Sequence, residues 1–385
     1  MLELRKIKSY LNYHSRIYSH IRFKENIVVI ESDDWGKNAN NPNFDFPNNI
    51  GTRTDWSFDQ LESENELEKL YEILEDHVDS SGNKAKLTAN FIVANPDPQK
   101  TKEQGYHTVV LGGIDENKEL LKAWHSGMQK KVFHPQYHGR LHYNSELYLE
   151  SIKSNSTAEL LFNNNVNGGL ENFVESQFEY YSEYQNHKTN ALMVDAQEWV
   201  QDGLLEFKRI FGFYSKSTIA PNYVIPDKMI EVLSTAGVKY IQGGNKMIYF
   251  NSGSQKYKNY ALGTTLKKQI IALARNVKFE PCRSKKEWQV DFCKKSIDTL
   301  FRKNIPVVID THRFNYVGKH ANRSRKCLSE LLDHITTYDV RFLTSDELGE
   351  AIGNKGNYKN AFTGEVSKIH IIDNPLKKIL RNWVS

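Results

Sequence analysis

Residues 27–36 read Ile-Val-Val-Ile-Glu-Ser-Asp-Asp-Trp-Gly (IVVIESDDWG), so four β-branched apolar residues run into the adjacent carboxylates Asp33 and Asp34. An apolar run without polar alternation marks a strand buried on both faces, as in a parallel sheet. The carboxylates then fall at the C-terminal end of that strand. Two anions side by side repel each other and lose hydration. A divalent cation compensates them, one Asp ligating it and the other staying free as a general base. The alternative is a strand-end turn in which the Asp side chains cap backbone amides.

Similar runs recur at residues 87–93, 132–133, 218–220, 238–242, 270–274, 305–309 and 340–343. Helical patterns lie between many of them. The clearest has Leu67, Leu70, Tyr71, Leu74 and Val78 on one face and ends before Gly82; another precedes Gly237. Strands alternating with helices predict an α/β fold, most simply a parallel β/α barrel. In such barrels the site gathers at the C-terminal ends of the strands. Asp33, Asp34, Asn95, Asn222, Gln242 and His312 each follow a strand in this reading.

The chain has 385 residues, of which 39% are hydrophobic and 12% aromatic, enough for one barrel core. Net charge is +4 with the signs interspersed, and no nucleic-acid motif occurs, so no nucleic-acid partner is expected. Cys282, Cys293 and Cys327 are odd in number and widely spaced, which predicts buried, reduced thiols. The N-terminal segment lacks an apolar core and a cleavage site, and no run reaches the ~18 apolar residues of a membrane span. The expected location is therefore the cytoplasm. Residues 144–190, rich in Asn, Ser, Glu and Tyr, predict a helical insertion plus a loop over the barrel mouth or edge. Residues 375–385 place Leu376, Ile379, Leu380 and Trp383 opposite Lys377, Lys378 and Arg381. This predicts a terminal helix docked on its own barrel, with a peripheral membrane or partner contact as the alternative. No linker divides the chain, so a single barrel domain over 1–385, with its core at about 25–350, is expected.

The segment FHPQYHGRLHYN (133–144) carries His134, His138 and His142 at spacings of four. That spacing places two imidazoles on one side of a helical turn, a common zinc-chelating arrangement. Pro135 disfavours helix at His134, so His138 and His142 are the better pair. Two His plus one Asp make a facial triad that leaves positions open for water and substrate. His312, in IPVVIDTHRFNYVG (305–318), is either a general acid or a hydrogen-bonded strand-end histidine.

The segments ESDDWG, HGRLH, IAPNY and THRFNYVG, in that order, resemble the divergent branch of the polysaccharide deacetylase family (the NodB-homology domain, carbohydrate esterase family four). The resemblance spans roughly Ile27 to Leu348. It implies a distorted (β/α)7 barrel and a hydrolase that removes acetyl groups from an N- or O-acetylated sugar or polysaccharide. It further implies a divalent metal, with zinc the leading choice, on Asp34, His138 and His142, Asp33 as base and His312 as acid. The family usually carries an Arg before a Pro-Tyr pair; this chain has Ile219-Ala220-Pro221-Asn222-Tyr223 there. Arg275, in LARNVKFEP, or Arg140, beside the His pair, would replace it. Trp35, Arg140, Asn222, Tyr223 and Arg275 are the expected substrate contacts, with backbone donors near Tyr223 for an oxyanion. Two other functions fit the same residues: hydrolysis of a non-sugar amide or cyclic imide, and silent glycan binding.

Overall fold

The computed structural model describes residue 19 and residues 21–45, 58–142, 144–166 and 194–372. The principal strands are β1 (Asn26–Trp35), β2 (Leu87–Ile92), β3 (Phe133–Gly139), β4 (Ser217–Thr218) and β5 (Tyr240–Gly243). A hairpin follows, β6 (Lys246–Asn251) and β7 (Ser254–Asn259), and then β8 (Ile271–Ala274), β9 (Val277–Lys278), β10 (Val307–His312) and β11 (Val340–Phe342). The hairpin forms its own two-stranded antiparallel sheet. The other nine strands make one sheet, in the order β8-β5-β4-β3-β2-β1-β10-β9, with β11 also paired to β1. Every pairing in it is parallel.

The two ends of that order are consecutive in the chain. Ile271–Ala274 pairs with β5, and Val277–Lys278, only two residues on, pairs with β10. This stretch curls the sheet into a distorted barrel of the expected α/β class, with Arg275 at the crossing. The apolar runs became strands because both their faces are covered; in β1 every residue after Asn26 is buried.

Helix α1 (Glu64–Asp76) opens on a capping box, Ser63 with Glu66, and buries Leu67, Leu70, Tyr71 and Leu74. Val78 does not join that face and is 51% exposed. The helix stops because the Asp79 side chain accepts from the Ser81 and Asn83 amides and builds a turn. Around the barrel follow α2 (Lys118–Gln129), α3 (Ser145–Ser154), α4 (Ser156–Asn163), α5 (Ala196–Phe211) and α6 (Asp227–Thr235). The last three are α7 (Val290–Arg302), α8 (Ala321–Ile335) and α9 (Ser345–Gly353). Helices α3 and α4 form the first part of the expected insertion. Residues 167–190 of it, and the tail expected at 375–385, lie outside the described residues. No helix among the described residues is long and apolar enough to cross a membrane. None of the three cysteines forms a disulfide; Cys293 is buried as expected, whereas Cys282 and Cys327 are only half-buried.

The expected helical turn through the histidines is not there. Residues 133–139 are strand β3, and the strand expected at 132–133 extends to Gly139. Pleating sends Phe133 outward, against Trp35, Tyr71 and Phe91, and turns His134, Gln136 and His138 to the barrel interior.

Behind the mouth, Arg313 is fully buried. Its guanidinium donates to both oxygens of Asp59 at 3.0 Å, to Glu62 at 2.8 Å and to the Lys37 carbonyl at 2.6 Å. Glu62 also accepts from the Gly36 amide and the Trp124 indole. One cation thereby ties the chain leaving β1 to the residues before α1 and, through Trp124, to α2. Removing one partner of a buried ion pair costs about 3–5 kcal/mol, because the other charge is left uncompensated. We expect Arg313→Leu to lower unfolding stability by that order in chemical denaturation. A loss within about 0.5 kcal/mol, the range of ordinary surface substitutions, would contradict this role.

Candidate metal centre

Strand β1 carries a local irregularity where the chemistry sits. Its register with β2 shifts between Ser32 and Trp35, and Asp34 has φ 73°. Three steps on β1, from Ser32 to Trp35, match two on β2, from Ala89 to Phe91. The extra residue is a bulge, a device that re-aims a side chain at a strand end. Strict alternation would turn Asp33 and Asp34 to opposite faces. Here Asp33 stays with Glu31 on the interior, and Asp34 turns to the histidines.

Asp34 Oδ1 lies 3.2 Å from His142 Nε2 and 3.5 Å from His138 Nε2. The ligand atoms of the three residues all fall within 4.8 Å of one another. His138 Nδ1 donates to the Ile219 carbonyl at 2.9 Å, so in the neutral ring Nε2 presents a lone pair to Asp34. Burial and the Lys37 charge bring His142 down to about 4. Burial pushes the Asp34 carboxyl up, but His142, Lys37 and His138 hold it well below the usual range. Asp34 Oδ1 and His142 Nδ1 are buried and make no hydrogen bond. A carboxylate oxygen beside two imidazole Nε2 atoms is a ligand set that fits a divalent cation.

Asp33 stands beside this trio in a different environment. Arg275 donates to both its oxygens, Nη2 to Oδ1 at 2.6 Å and Nη1 to Oδ2 at 2.7 Å. Asn90 adds a bond to Oδ1 at 2.8 Å. Burial raises the Asp33 carboxyl, yet the guanidinium outweighs it and holds the group well below the carboxylate range. Arg275 also reaches Glu31 at 2.6 Å and Asp310 at 2.8 Å. Asp33, Asp310 and His312 cluster as closely as the first trio, but Arg275 already supplies their cation.

His312 pairs in register with Asp33 on the neighbouring strand, and its Nε2 lies 3.8 Å from Asp33 Oδ2. The parallel register thus sets the imidazole beside Asp33. The Nδ1 atom meets Glu280 at 2.5 Å. Burial lowers the imidazole, but Glu280, with Asp33 and Asp310, outweighs it and pushes the ring up to about 9. Asp310, close in sequence and open as a partner for His312, bonds instead to Arg275 and Lys278.

Arg275, not Arg140, accompanies Asp33; Arg140 stacks over Trp199 at 4.8 Å. Trp35 does not reach the mouth, because its ring is fully buried with Nε1 on Ser32 Oγ at 3.0 Å. Asn222 and Tyr223 occupy a turn with φ 54° and 59°. The Tyr223 side chain adjoins Asp310 and Arg275. Its amide already donates to the Ala220 carbonyl at 2.9 Å, so that donor is not aimed at an oxyanion. Sequence reasoning missed Glu280, Asn90, Glu31 and Lys37. Glu280 lies five residues after Arg275, just past the crossing, and a carboxylate there is the only local signal.

No family profile and no curated protein sequence matches the chain. Solved structures give distant likenesses. The Xyl-CE4 domain of a multidomain xylanase from the hindgut metagenome of Trinervitermes trinervoides is 10% identical over 86% of this chain and 92% of that one, with TM-score 0.38. A CE4 family pseudoenzyme from Bacillus anthracis is 9% identical over 85% and 66%, with TM-score 0.38. A 4-alpha-glucanotransferase from Thermococcus litoralis is 11% identical over 84% of this chain, which spans only 40% of that enzyme, with TM-score 0.41. Likenesses this faint decide nothing about activity, and the side-chain geometry has to carry the functional reading.

The geometry predicts one divalent ion per chain on the Asp34 trio. After incubation with zinc and desalting, we expect elemental analysis to find one equivalent in the wild type and none in Asp34→Ala. Equal stoichiometry in the two proteins would remove Asp34 from the centre.

Proposed function

We propose that the chain is a metal-dependent hydrolase that removes acetyl groups from an N- or O-acetylated sugar or glycan. The observation that supports this most is the side-by-side placement of a cation-deficient Asp34–His138–His142 trio, an ionised Asp33 and a protonated His312. Asp34, His138 and His142 would hold the ion, which is most simply zinc given two imidazoles and one carboxylate. Such an ion supplies a Lewis acid that brings the pKa of water towards ~7 and polarises an acyl oxygen.

The chain's own residues supply the proton movements. Asp33 takes the proton of the attacking water through Oδ2. That oxygen receives only Arg275 Nη1, whereas Oδ1 receives Arg275 and Asn90. The guanidinium fixes the carboxylate plane and keeps it ionised, at the expense of basicity. His312 then delivers its Nε2 proton to the departing amine or alkoxide. Glu280 on Nδ1 keeps the ring protonated and oriented, as second-partner carboxylates do for catalytic imidazoles. The clamp on both oxygens of Asp33 also favours a second reading, a silent glycan-binding protein in which Asp33 is merely an ion-pair partner.

Asp33→Asn separates the two readings. We expect acetate release to fall roughly 10²–10⁴-fold while zinc stoichiometry stays at that of the wild type. A wild type that binds zinc and acetylated sugar without releasing acetate would establish the silent reading. A second expectation concerns pH. His312 acts when protonated, so the rate falls as pH rises through its pKa, and Glu280 raises that pKa. Glu280→Gln therefore moves the alkaline limb of kcat to lower pH, whereas a purely structural Glu280 would leave the limb in place.

A further inference from the structure

A cavity of about 240 Å³ lies beside Arg275 and Asp310, on the flank of the site remote from the metal trio. One wall is the β6–β7 hairpin, contributing Lys246 and Tyr257; the other is the crossing strand, contributing Lys278. At less than the roughly 300–1,000 Å³ of drug-sized pockets, the cavity suits a single sugar ring with one substituent. Its floor is the guanidinium that holds Asp33, so a ligand in it sits next to the reacting groups.

A lysine stands on each wall of this cavity, Lys246 on the hairpin and Lys278 on the crossing strand. The hairpin segment 245–259 holds no carboxylate; of its lysines Lys246 lines the cavity, while Lys258 pairs with Asp227 at 3.3 Å. On the facing wall Lys278 lines the cavity and Arg283, Lys285 and Lys286 follow it in the chain, whereas Arg275 is already taken up by Glu31, Asp33 and Asp310. Glu280 is fully buried on His312 and Asn315, so it does not offset the rim. Asp310 in the floor is matched by Arg275 and by Lys278 at 3.4 Å. Lys278 also lies over Trp288, with Arg283 and Lys285 over the same ring. Tyr257, 54% exposed, carries the Lys246 ammonium 5.3 Å from its ring centroid. An exposed aromatic ring is a platform for the apolar face of a sugar, and the ammonium over one face of this ring is a point charge for an anion.

We propose that this cavity is a substrate subsite for a sugar ring bearing an anionic group, a carboxylate or a phosphate, with the ring on Tyr257 and the anion between Lys246 and Lys278. The inference rests on the hydrolase reading and narrows its substrate to an acidic glycan. The blandest alternative, a solvated basic surface, predicts no preference between charged and neutral sugars.

The test uses the full chain, incubated with zinc and titrated with glucose, glucuronate and glucose 6-phosphate by ligand-detected NMR at low and high salt. We expect at least one anionic sugar to bind about tenfold or more tighter than glucose, as a charge-assisted contact provides. The margin narrows as salt screens the rim. Which anion wins distinguishes a uronate-type from a phosphate-bearing glycan. Lys246→Glu, on the exposed hairpin, abolishes the preference, and Lys278→Gln weakens it. Equal binding of all three sugars by the wild type, or a preference that survives Lys246→Glu, overturns the subsite. Zinc stoichiometry and acetate release measured on the same samples report the metal centre and the hydrolase reading separately, so failure of that reading shows as missing zinc or as absent acetate release and leaves the sugar comparison interpretable.

Discussion

Arg275 places one guanidinium against three buried carboxylates, Glu31, Asp33 and Asp310, contributed by strands β1 and β10. It sits where the chain leaves its pairing with β5 and joins β10, so the clamp also brings the two ends of the sheet order together. Burial raises all three acids, and each responds differently to the shared cation. Asp33, gripped on both oxygens, stays far below its ordinary range. Asp310 is lowered with help from Lys278. Glu31, the most enclosed, is pushed up to about 7 by burial despite its bond to Arg275. Its other oxygen accepts from Ser345 at 2.7 Å. A group half protonated near neutrality reduces the excess negative charge that one arginine cannot cancel. Loss of the guanidinium would leave several uncompensated buried charges, each of the order of several kcal/mol.

From this clamp a hydrogen-bond chain runs across the interior. Asn90 links Asp33 to Gln242, Gln242 donates to Ser217, and Ser217 donates to Gln136. Parallel barrels commonly fill this space with branched apolar layers. Here those residues face the helices, and the interior is polar from His134 to His138. The network leaves Asn90 Oδ1 buried without a hydrogen bond, and its other links fix side chains without relying on solvent. Asp33 thus has its position and ionisation set before any ligand arrives.

The Asp34 trio follows the opposite principle. It has two imidazole Nε2 atoms beside a carboxylate oxygen, and a backbone in the left-handed region that costs about 1–3 kcal/mol for a non-glycine residue. The Lys37 charge and the Arg313 network hold the loop behind it. One half of the mouth is therefore complete as folded, and the other half asks for a cation. That division suits a site where one aspartate moves a proton and its neighbour does not.

The sequence by itself located eight of the nine strands of the described sheet, β9 and the separate hairpin excepted, and the polar residues near their ends. Uninterrupted runs such as IVVI and PVVI can be covered only in a sheet buried on both faces, so Asp33, Asp34 and His312 had to lie at strand termini. Chain spacing could not determine the rest. The four-residue interval between His138 and His142 read as a helical turn, yet the interval spans a strand end and a bend, and only the pairing of β3 with β2 settles this. Trp35, adjacent to the aspartates in sequence, is turned into the core by the same bulge that aims Asp34 at the histidines. The choice between Arg275 and Arg140, and the partnership of His312 with Glu280 rather than Asp310, were decided by tertiary structure. Those partners stand on strands far apart in the chain, and a buried charge selects whichever opposite charge the closing of the barrel brings within hydrogen-bond reach.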